Sequence, residues 1–573
     1  MLSAIAKLSQ RNRLFFDLGI ILFFSILVTL PMYLKGIGGG NDMPQHFQFA
    51  QTYYEALLNG NFYPSWAYQP NYGYGDVSVR FYPPLTYYCL AFFRILSGNW
   101  FDATCLTFLA LFFASGVGIY LWAKEWFTAK ASLVGALVYI FLPYHLNQIY
   151  RASMLAEFAA AAILPFCFLY AARVCQKGRL TDICGLALSF ALLILTHLPT
   201  TVMASLTLFL YCLFSLKKTT YFQTIFKLAV SVSISLLLSS FYWVRMVTEL
   251  NFVKHNTEAF STDYYSFKSH FIGLSVISFG DVKAAPTASF LDIMILVMLG
   301  ILFSNMLLYF VKARETKYYP ITNVAVITIF SLFMTSPLSL KVWESIELLQ
   351  KIQFPWRWMT IITLGTSIFA AAGFEAFLEY FKTQKRFLSL IALGFLLVAV
   401  PYNSLKIMDT TFNYPKEYFN GLVERLKSSP SFECWWTVWT KKTDKEIPKF
   451  GFPFPELLPE KLVINNRQTE FKTWKATERV ISIKSGEAGQ ATLATLYYPH
   501  WKAVINGQPA EVTSSETGLI SFPVPAEETD VYLHFQEPQK VLIGFYISGL
   551  AWILFLSLLA FILFQKTRKP SIT

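Results

Sequence analysis

Residues 14–34 run apolar for long enough to cross a bilayer as a helix, and the pattern recurs to the end of the chain. About 17–25 apolar residues cover the hydrocarbon core. Inside lipid every backbone amide has to be satisfied within the segment, so such runs are predicted to be helices packed as a bundle. They fall near 14–34, 102–122, 131–148, 154–174, 182–196, 199–216, 226–246, 288–311, 320–337, 357–380, 387–403 and 540–564. That pattern predicts a polytopic α-helical membrane protein of about twelve spans. The first run is too long for a signal-peptide core and no small-residue cleavage site follows it, so it reads as a retained span. The run "PPLTYYCLAFFRILSG" (83–98) is short, opens on two prolines and carries Arg94. It reads as a juxtamembrane helix; the alternative is that it crosses and another run does not.

Only 14% of the 573 residues are charged against 55% hydrophobic, well below the quarter or so charged in soluble domains. The net charge of +12 is explained by short basic gaps between runs: "AKEWFTAK" (123–130), "RVCQKGR" (173–179), "KKTTYFQTIFK" (217–227), "KARETK" (312–317), "KTQKR" (382–386) and the tail. This is the pattern of cytoplasmic loops and does not require nucleic acid as a partner. No Gly-rich loop opens a helix after a strand, which argues against a nucleotide-binding domain. The seven cysteines form no CxxC pair and no disulfide framework.

With the basic gaps in the cytoplasm, parity places all seven histidines outside: His46, His145, His197, His255, His270, His500 and His534. Asp42, Asp76, Arg80, Arg151, Arg245, Asp263 and Arg357 fall on the same side. The expected organisation is a membrane domain 1–404 with an outer loop 35–101, an extracytoplasmic β-rich domain 405–538, and a last span with a basic tail, 539–573. "RVISIKS" (479–485), "QATLATLYY" (490–498), "WKAVI" (501–505) and "VYLHF" (531–535) alternate as strands do, and Asn506-Gly507 signals a hairpin. A β-sandwich is the expected form.

Candidate functional residues collect at the outer ends of spans. After "GGGN" comes Asp42, then an amphipathic segment with Phe47, Ala50, Tyr54 and Leu57 on one face, expected to lie on the membrane surface. Asn41 or Asp42 could simply cap this helix; equally, Asp42 could serve as general base with His46 one turn on. Glu157 enters an apolar run, where a carboxylate usually faces a cavity or pairs with a base. Arg151 is its nearest candidate partner, with Tyr144 and His145 beside it. His197 in "LTHLPTT" reads as pocket lining. Arg357, between two tryptophans in "FPWRW", either belongs to an interfacial aromatic belt or forks onto a phosphate, and Arg80 has the same two readings.

Taken in order, the outward Asp after the first span, "RFYPPLTYY", "YRASMLAEF", "LTHLPTT" and "FPWRW" resemble the GT-C membrane glycosyltransferases. Within that superfamily the chain is most similar to bacterial membrane proteins labelled pyruvoyl-tetrahydropterin-synthase-related, near the YfhO-like proteins, a label that implies no pterin chemistry. "YYPHWKAVINGQPAEV" resembles the outer β-domain of the YfhO-like group. The resemblance implies a GT-C-like transmembrane domain in the bacterial inner membrane. It also implies transfer of a sugar from a polyprenyl-phosphate-linked donor to a glycan, lipid or protein acceptor at the outer face, amid membrane lipids. Asp42 would be the base, with His46 beside it. Arg357, Arg151 and Arg80 would hold the donor phosphate, and His145, Glu157, His197 and Tyr144 would line the acceptor pocket. No second acidic residue stands beside Asp42, which leaves a divalent metal an open expectation. The competing expectations are a lipid or polysaccharide transporter and a degenerate scaffold that only binds glycans.

Overall fold

The structure, a computed structural model, describes residues 2–40, 42–256, 266–273, 294–295, 298–306, 320–380, 402, 405–409, 412–441 and 457–568. Among these, eight helices are long and apolar enough to cross a membrane. The count is nine if Ile321–Thr335 and Pro337–Ser345, bent by 85°, form one broken span. Most of the spans expected at 288–311 and 387–403, and Asp263, lie outside the described residues.

The helices in chain order are α1 (Leu2–Lys35), α2 (Met43–Leu58), α3 (Leu85–Ser97), α4 (Trp100–Ala123), α5 (Ala129–Phe141), α6 (Pro143–Leu146), α7 (Leu155–Gln176), α8 (Leu180–Ile194), α9 (Leu198–Ser215) and α10 (Tyr221–Glu249). They continue as α11 (Pro320–Thr335), α12 (Leu340–Ser345), α13 (Glu347–Gln350), α14 (Met359–Tyr380), α15 (Lys416–Leu426) and α16 (Gln539–Arg568). α3, with 13 residues, and α8, with 15, are apolar but short.

The bundle has two chemically different ends. At one, two of the basic gaps, 123–130 and 173–179, meet: Arg173 and Lys177 both pair with Glu125 at 2.6 Å, and Thr128 donates to Glu375. At the other, the chain after α1 packs against residues 150–153, Leu85 N–H donates to Leu195 O, and Ile272 N–H donates to Thr335 O. Among the described residues, Asp42, His46, His197 and Arg357 lie together at this end, as do Arg80, Arg245 and His500.

α2 forms over the expected residues, but it does not float on a membrane surface. Phe47 and Ala50 are buried, Phe47 against Trp100 and Phe419. The polar face is engaged as well: Gln48 donates to Leu426 O and Ser429 O, and Gln51 to Val423 O. Because α15 supplies acceptors for these amides, the helix sits between α3 and α15.

The β-domain holds two antiparallel sheets. β3 (Leu462–Val463), β6 (Gly489–Leu496), β10 (Leu519–Val524) and β9 (Thr513–Ser514) form one. β4 (Thr469–Lys475), β5 (Glu478–Ile483), β11 (Thr529–Phe535), β7 (Trp501–Ile505) and β8 (Gln508–Ala510) form the other. Alternate residues such as Ile481, Ile483, Leu493, Leu519, Phe522, Val531 and Leu533 are buried in one continuous core. The β7–β8 turn is Asn506-Gly507 with φ of 48° and 77°, the left-handed pair a tight hairpin needs. Residues 412–441 belong structurally with the loop after α1: β2 (Asn413–Tyr414) pairs with β1 (Ile37–Gly38).

A cluster of four charges, Arg80, Arg245, Glu249 and Glu537, ties the β-domain to the bundle. Arg80 donates through Nε and Nη2 to Glu249 at 2.7 and 2.9 Å, and through Nη1 and Nη2 to Glu537 at 2.7 and 2.8 Å. Arg245 also reaches Glu537 at 2.8 Å, while Tyr498 and His500 of the β-domain meet Glu249 at 2.8 Å.

Candidate functional site

The three glycines before Asp42 permit a close approach of two backbones. A Cβ on Gly38 would collide with the Tyr150 carbonyl, one on Gly40 with Ala152, and one on Gly39 with the Tyr414 ring. Only glycine has the room. Ser153 Oγ adds a bond to Gly38 O at 3.0 Å. The partner segment is itself irregular: Pro143 breaks α5 from α6, Asn147–Arg151 forms a π turn, and Ser153 takes φ 53°. Breaks and π turns of this kind aim side chains that a regular helix would point elsewhere. Here they bring Asp42 to the broken span 129–151 and the start of α7.

Asp42 occupies the N-cap position of α2, yet its side chain makes no capping hydrogen bond. The carboxyl is pushed up to about 6, first by burial and then by Glu157, with Arg357 pulling against them. Simple capping does not account for it. Asn41, the other capping option, lies outside the described residues.

Glu157 pairs with Arg357, 200 residues away, rather than with Arg151: Arg357 Nε donates to Oε2 at 3.1 Å. Oε1 accepts from Tyr144 at 2.6 Å and from Gln148 Nε2 at 2.9 Å. Arg357 Nη1 donates to Ile352 O at 2.6 Å, and the guanidinium lies 4.8 Å from the Phe354 ring and 5.9 Å from Trp356. Nη2 makes no hydrogen bond among the described residues, and the side chain keeps 12% exposure. The aromatic-belt and anion-fork readings are thus compatible: rings and Glu157 hold the group while one edge stays open.

His46 Nδ1 lies 2.7 Å from the Tyr87 hydroxyl, and burial pushes its pKa down to about 3, which keeps it neutral. Its ring meets Tyr82 edge-on, and Tyr82 feels the charges of Asp42, Arg357 and Glu157. His145 Nδ1 lies 3.1 Å from Gln148 Oε1, and its buried Nε2 has no partner among the described residues. His197 caps α9 by accepting from Thr200 N–H at 3.4 Å; burial, with Arg357 and His46 nearby, holds it well below its usual range. Arg151 ends the π turn, exposed.

Arg80 is the expectation the structure corrects. It is 0% exposed, and all five of its N–H donors are committed, to Glu249, Glu537 and Ser65 O. No donor remains for a phosphate. Tyr82, Tyr87 and Gln148 contact the candidate residues His46 and Glu157, and sequence reasoning missed them. The signals were the aromatic run "YPPLTYY" at a proline-marked helix start and a glutamine, Gln148, inside an apolar span. Among the described residues no group of three His, Cys, Asp or Glu side chains is arranged to hold a metal ion.

Residues 79–405 match the family described as "6-pyruvoyl-tetrahydropterin synthase related domain; membrane protein", more than half of the chain. An uncharacterized protein of Lactococcus lactis subsp. cremoris (strain MG1363) is 29% identical over 101 residues, 18% of this chain and 16% of that protein. Solved structures with a similar course include arabinofuranosyltransferase AftD from Mycobacteria (TM-score 0.46, 14% identity, 71% of this chain and 28% of that one). ArnT from Cupriavidus metallidurans bound to undecaprenyl phosphate is another (TM-score 0.45, 12% identity, 71% and 68%). A third is AglB from Archaeoglobus fulgidus in complex with an inhibitory peptide and a dolichol-phosphate (TM-score 0.43, 10% identity, 76% and 62%). The matched regions span well under two thirds of the Lactococcus protein and of AftD.

Proposed function

The chain belongs to the 6-pyruvoyl-tetrahydropterin-synthase-related family of membrane proteins, and on that premise we propose that it is a membrane glycosyltransferase using a polyprenyl-phosphate-linked sugar. The observation that carries this reading is an uncapped, half-buried Asp42 close enough to feel the charge of an Arg357 whose Nη2 edge is open. A base and an anion-holding cation on one site are the minimum for displacement at an anomeric carbon with a phosphate leaving group.

In the proposed step, Asp42 accepts the proton of an acceptor hydroxyl whose oxygen bonds to the anomeric carbon. The bond from that carbon to the polyprenyl phosphate oxygen breaks, and Arg357 takes the charge that develops there. A carboxyl near 6 is ionised at neutral pH while remaining basic enough to hold the proton. Glu157, with Tyr144 and Gln148, fixes the Arg357 fork. Neutral His46, with Tyr82 and Tyr87, shapes the side facing Asp42. Arg151 is the second proposed phosphate contact; His145 and His197 line the pocket. Placement of the site on the outer face of a bacterial inner membrane rests on the basic gaps.

The test is complementation of a deletion strain, with surface glycans weighed by mass spectrometry. Wild type should restore a sugar-sized mass increment that Asp42→Asn, present in the membrane at equal level, does not. Restoration by Asp42→Asn would remove the base assignment.

A further inference from the structure

Arg479, on β5 of the β-domain, is 0% exposed and pairs with no carboxylate among the described residues. Its guanidinium carbon lies 4.4 Å from the Trp474 ring centre and 5.2 Å from that of Trp501. Nη1 donates to Glu478 O at 3.0 Å. The Glu478 carboxylate is turned away, to Lys475 at 3.3 Å. Nε and Nη2 are buried and have no hydrogen-bond partner among the described residues, and neither has the neighbouring Trp501 Nε1.

A second buried arginine of the same domain makes the contrast. Arg467 is 8% exposed, and its donors reach the carbonyls of Lys484, Glu487, Pro525 and Glu527. Arg479 has no such set. Nε and Nη2 form the side edge of the guanidinium, which meets carboxylates and phosphates through two parallel bonds. Buried polar groups in folded proteins are nearly always satisfied, by protein groups, water or a bound ion. Burial, partly opposed by Tyr68, lowers Arg479 to about 9, a cost that an anion on that edge would offset. The site lies at a seam: Trp501 packs on Trp66 of the loop after α2 at 5.6 Å, and Tyr68 of the same loop is close enough to influence the guanidinium. Lys461 Nζ, 4.9 Å from the Trp474 ring, adds a second positive charge.

We infer that the Nε/Nη2 edge of Arg479 binds one oxyanion, a carboxylate or a phosphate group, admitted through the seam between the five-stranded sheet and the loop after α2. This is independent of the Asp42 site and tests separately from it. Sugar acids and inorganic phosphate both carry the required chemistry.

The experiment titrates the full chain in detergent with sodium glucuronate, sodium phosphate and neutral glucose at constant ionic strength, following thermal unfolding and calorimetric binding. At least one anion should stabilise the wild type in a saturable way while glucose does not. A response to glucuronate alone assigns a sugar acid, to phosphate alone a phosphate group, and to both a general oxyanion site. Arg479→Lys should weaken the response about tenfold, the scale of losing a bidentate fork, whereas Arg467→Lys should leave the ratio between anions unchanged. No saturable response of wild type to either anion would overturn the inference. So would an undiminished response of Arg479→Lys.

Discussion

Arg80 and Arg357 are both held by glutamate and aromatic rings, Arg80 by two glutamates and Arg357 by one, yet they differ in what is left over. Arg80 has every donor taken and two rings, Tyr498 and Phe535, at 5.5 and 5.2 Å. Arg357 is fastened at Nε and Nη1 and open at Nη2. A saturated charge at a domain junction holds pieces together, whereas an oriented charge with an open edge is available to something else. The same contrast separates Glu537, bonded to two arginines, from Asp42, which accepts no capping bond.

The largest effect is expected from breaking the saturated cluster. Glu537→Ala strips a partner from both Arg80 and Arg245 and leaves buried charge uncompensated, which costs about 3–5 kcal/mol. Thermal unfolding of the purified protein should show a loss of several degrees. A midpoint equal to wild type would mean the cluster is not what couples the β-domain to the bundle.

Next in size is a pH effect in which the two carboxyls move oppositely. Glu537 is held down to about 2, chiefly by Arg245 and Arg80 acting against burial. Its stabilisation is present above the usual carboxyl range near 4.5 and is lost as pH falls from there towards 2. Asp42 is raised to about 6, so its contribution to stability runs the other way, present below 3.8 and lost as pH rises through 6. The ionised base appears over that same rise. Transfer should therefore fall below pH ~6, at values where thermal unfolding reports the Arg80 cluster intact. A transfer rate that follows unfolding at every pH would merge the two regions into one structural effect.

How far the sequence announced this contrast depends on the range of the interactions. Local signals carried well: Asn506-Gly507 turns between β7 and β8, and α2 runs from the proline-marked start to Asn59-Gly60. Charge parity grouped Asp42, His46, His197 and Arg357, which the structure brings together, because the rule acts on each gap separately. Pairings across the chain were not legible. Glu157 is six residues from Arg151 but bonds Arg357, and Arg80 meets Glu249 and Glu537 from opposite ends of the sequence. The glycines of residues 38–40 were visible as a break, but their purpose, contact with Tyr150, Ala152 and Tyr414, lies in the tertiary structure. The face of α2 was read as lipid-facing because α15, which covers it, follows some 360 residues later.

The smallest expected effect is on stability at the site itself. Since Asp42 makes no capping bond and burial works against its ionised form, Asp42→Asn should leave the protein at least as stable as wild type at neutral pH. A drop of the size seen when helix caps are removed, about 1 kcal/mol, would return Asp42 to a structural role.

The most direct measurement is the affinity of the purified protein for undecaprenyl phosphate, compared between wild type, Arg357→Lys and Asp42→Asn. Lysine keeps the charge but not the fork, so Arg357→Lys should bind about ten-fold more weakly, ~1.4 kcal/mol. Asp42→Asn, which removes a negative charge near the same guanidinium, should bind at least as well as wild type. Equal affinity in Arg357→Lys, or binding lost in Asp42→Asn, would contradict the assignment of one residue to the donor phosphate and the other to the acceptor's proton.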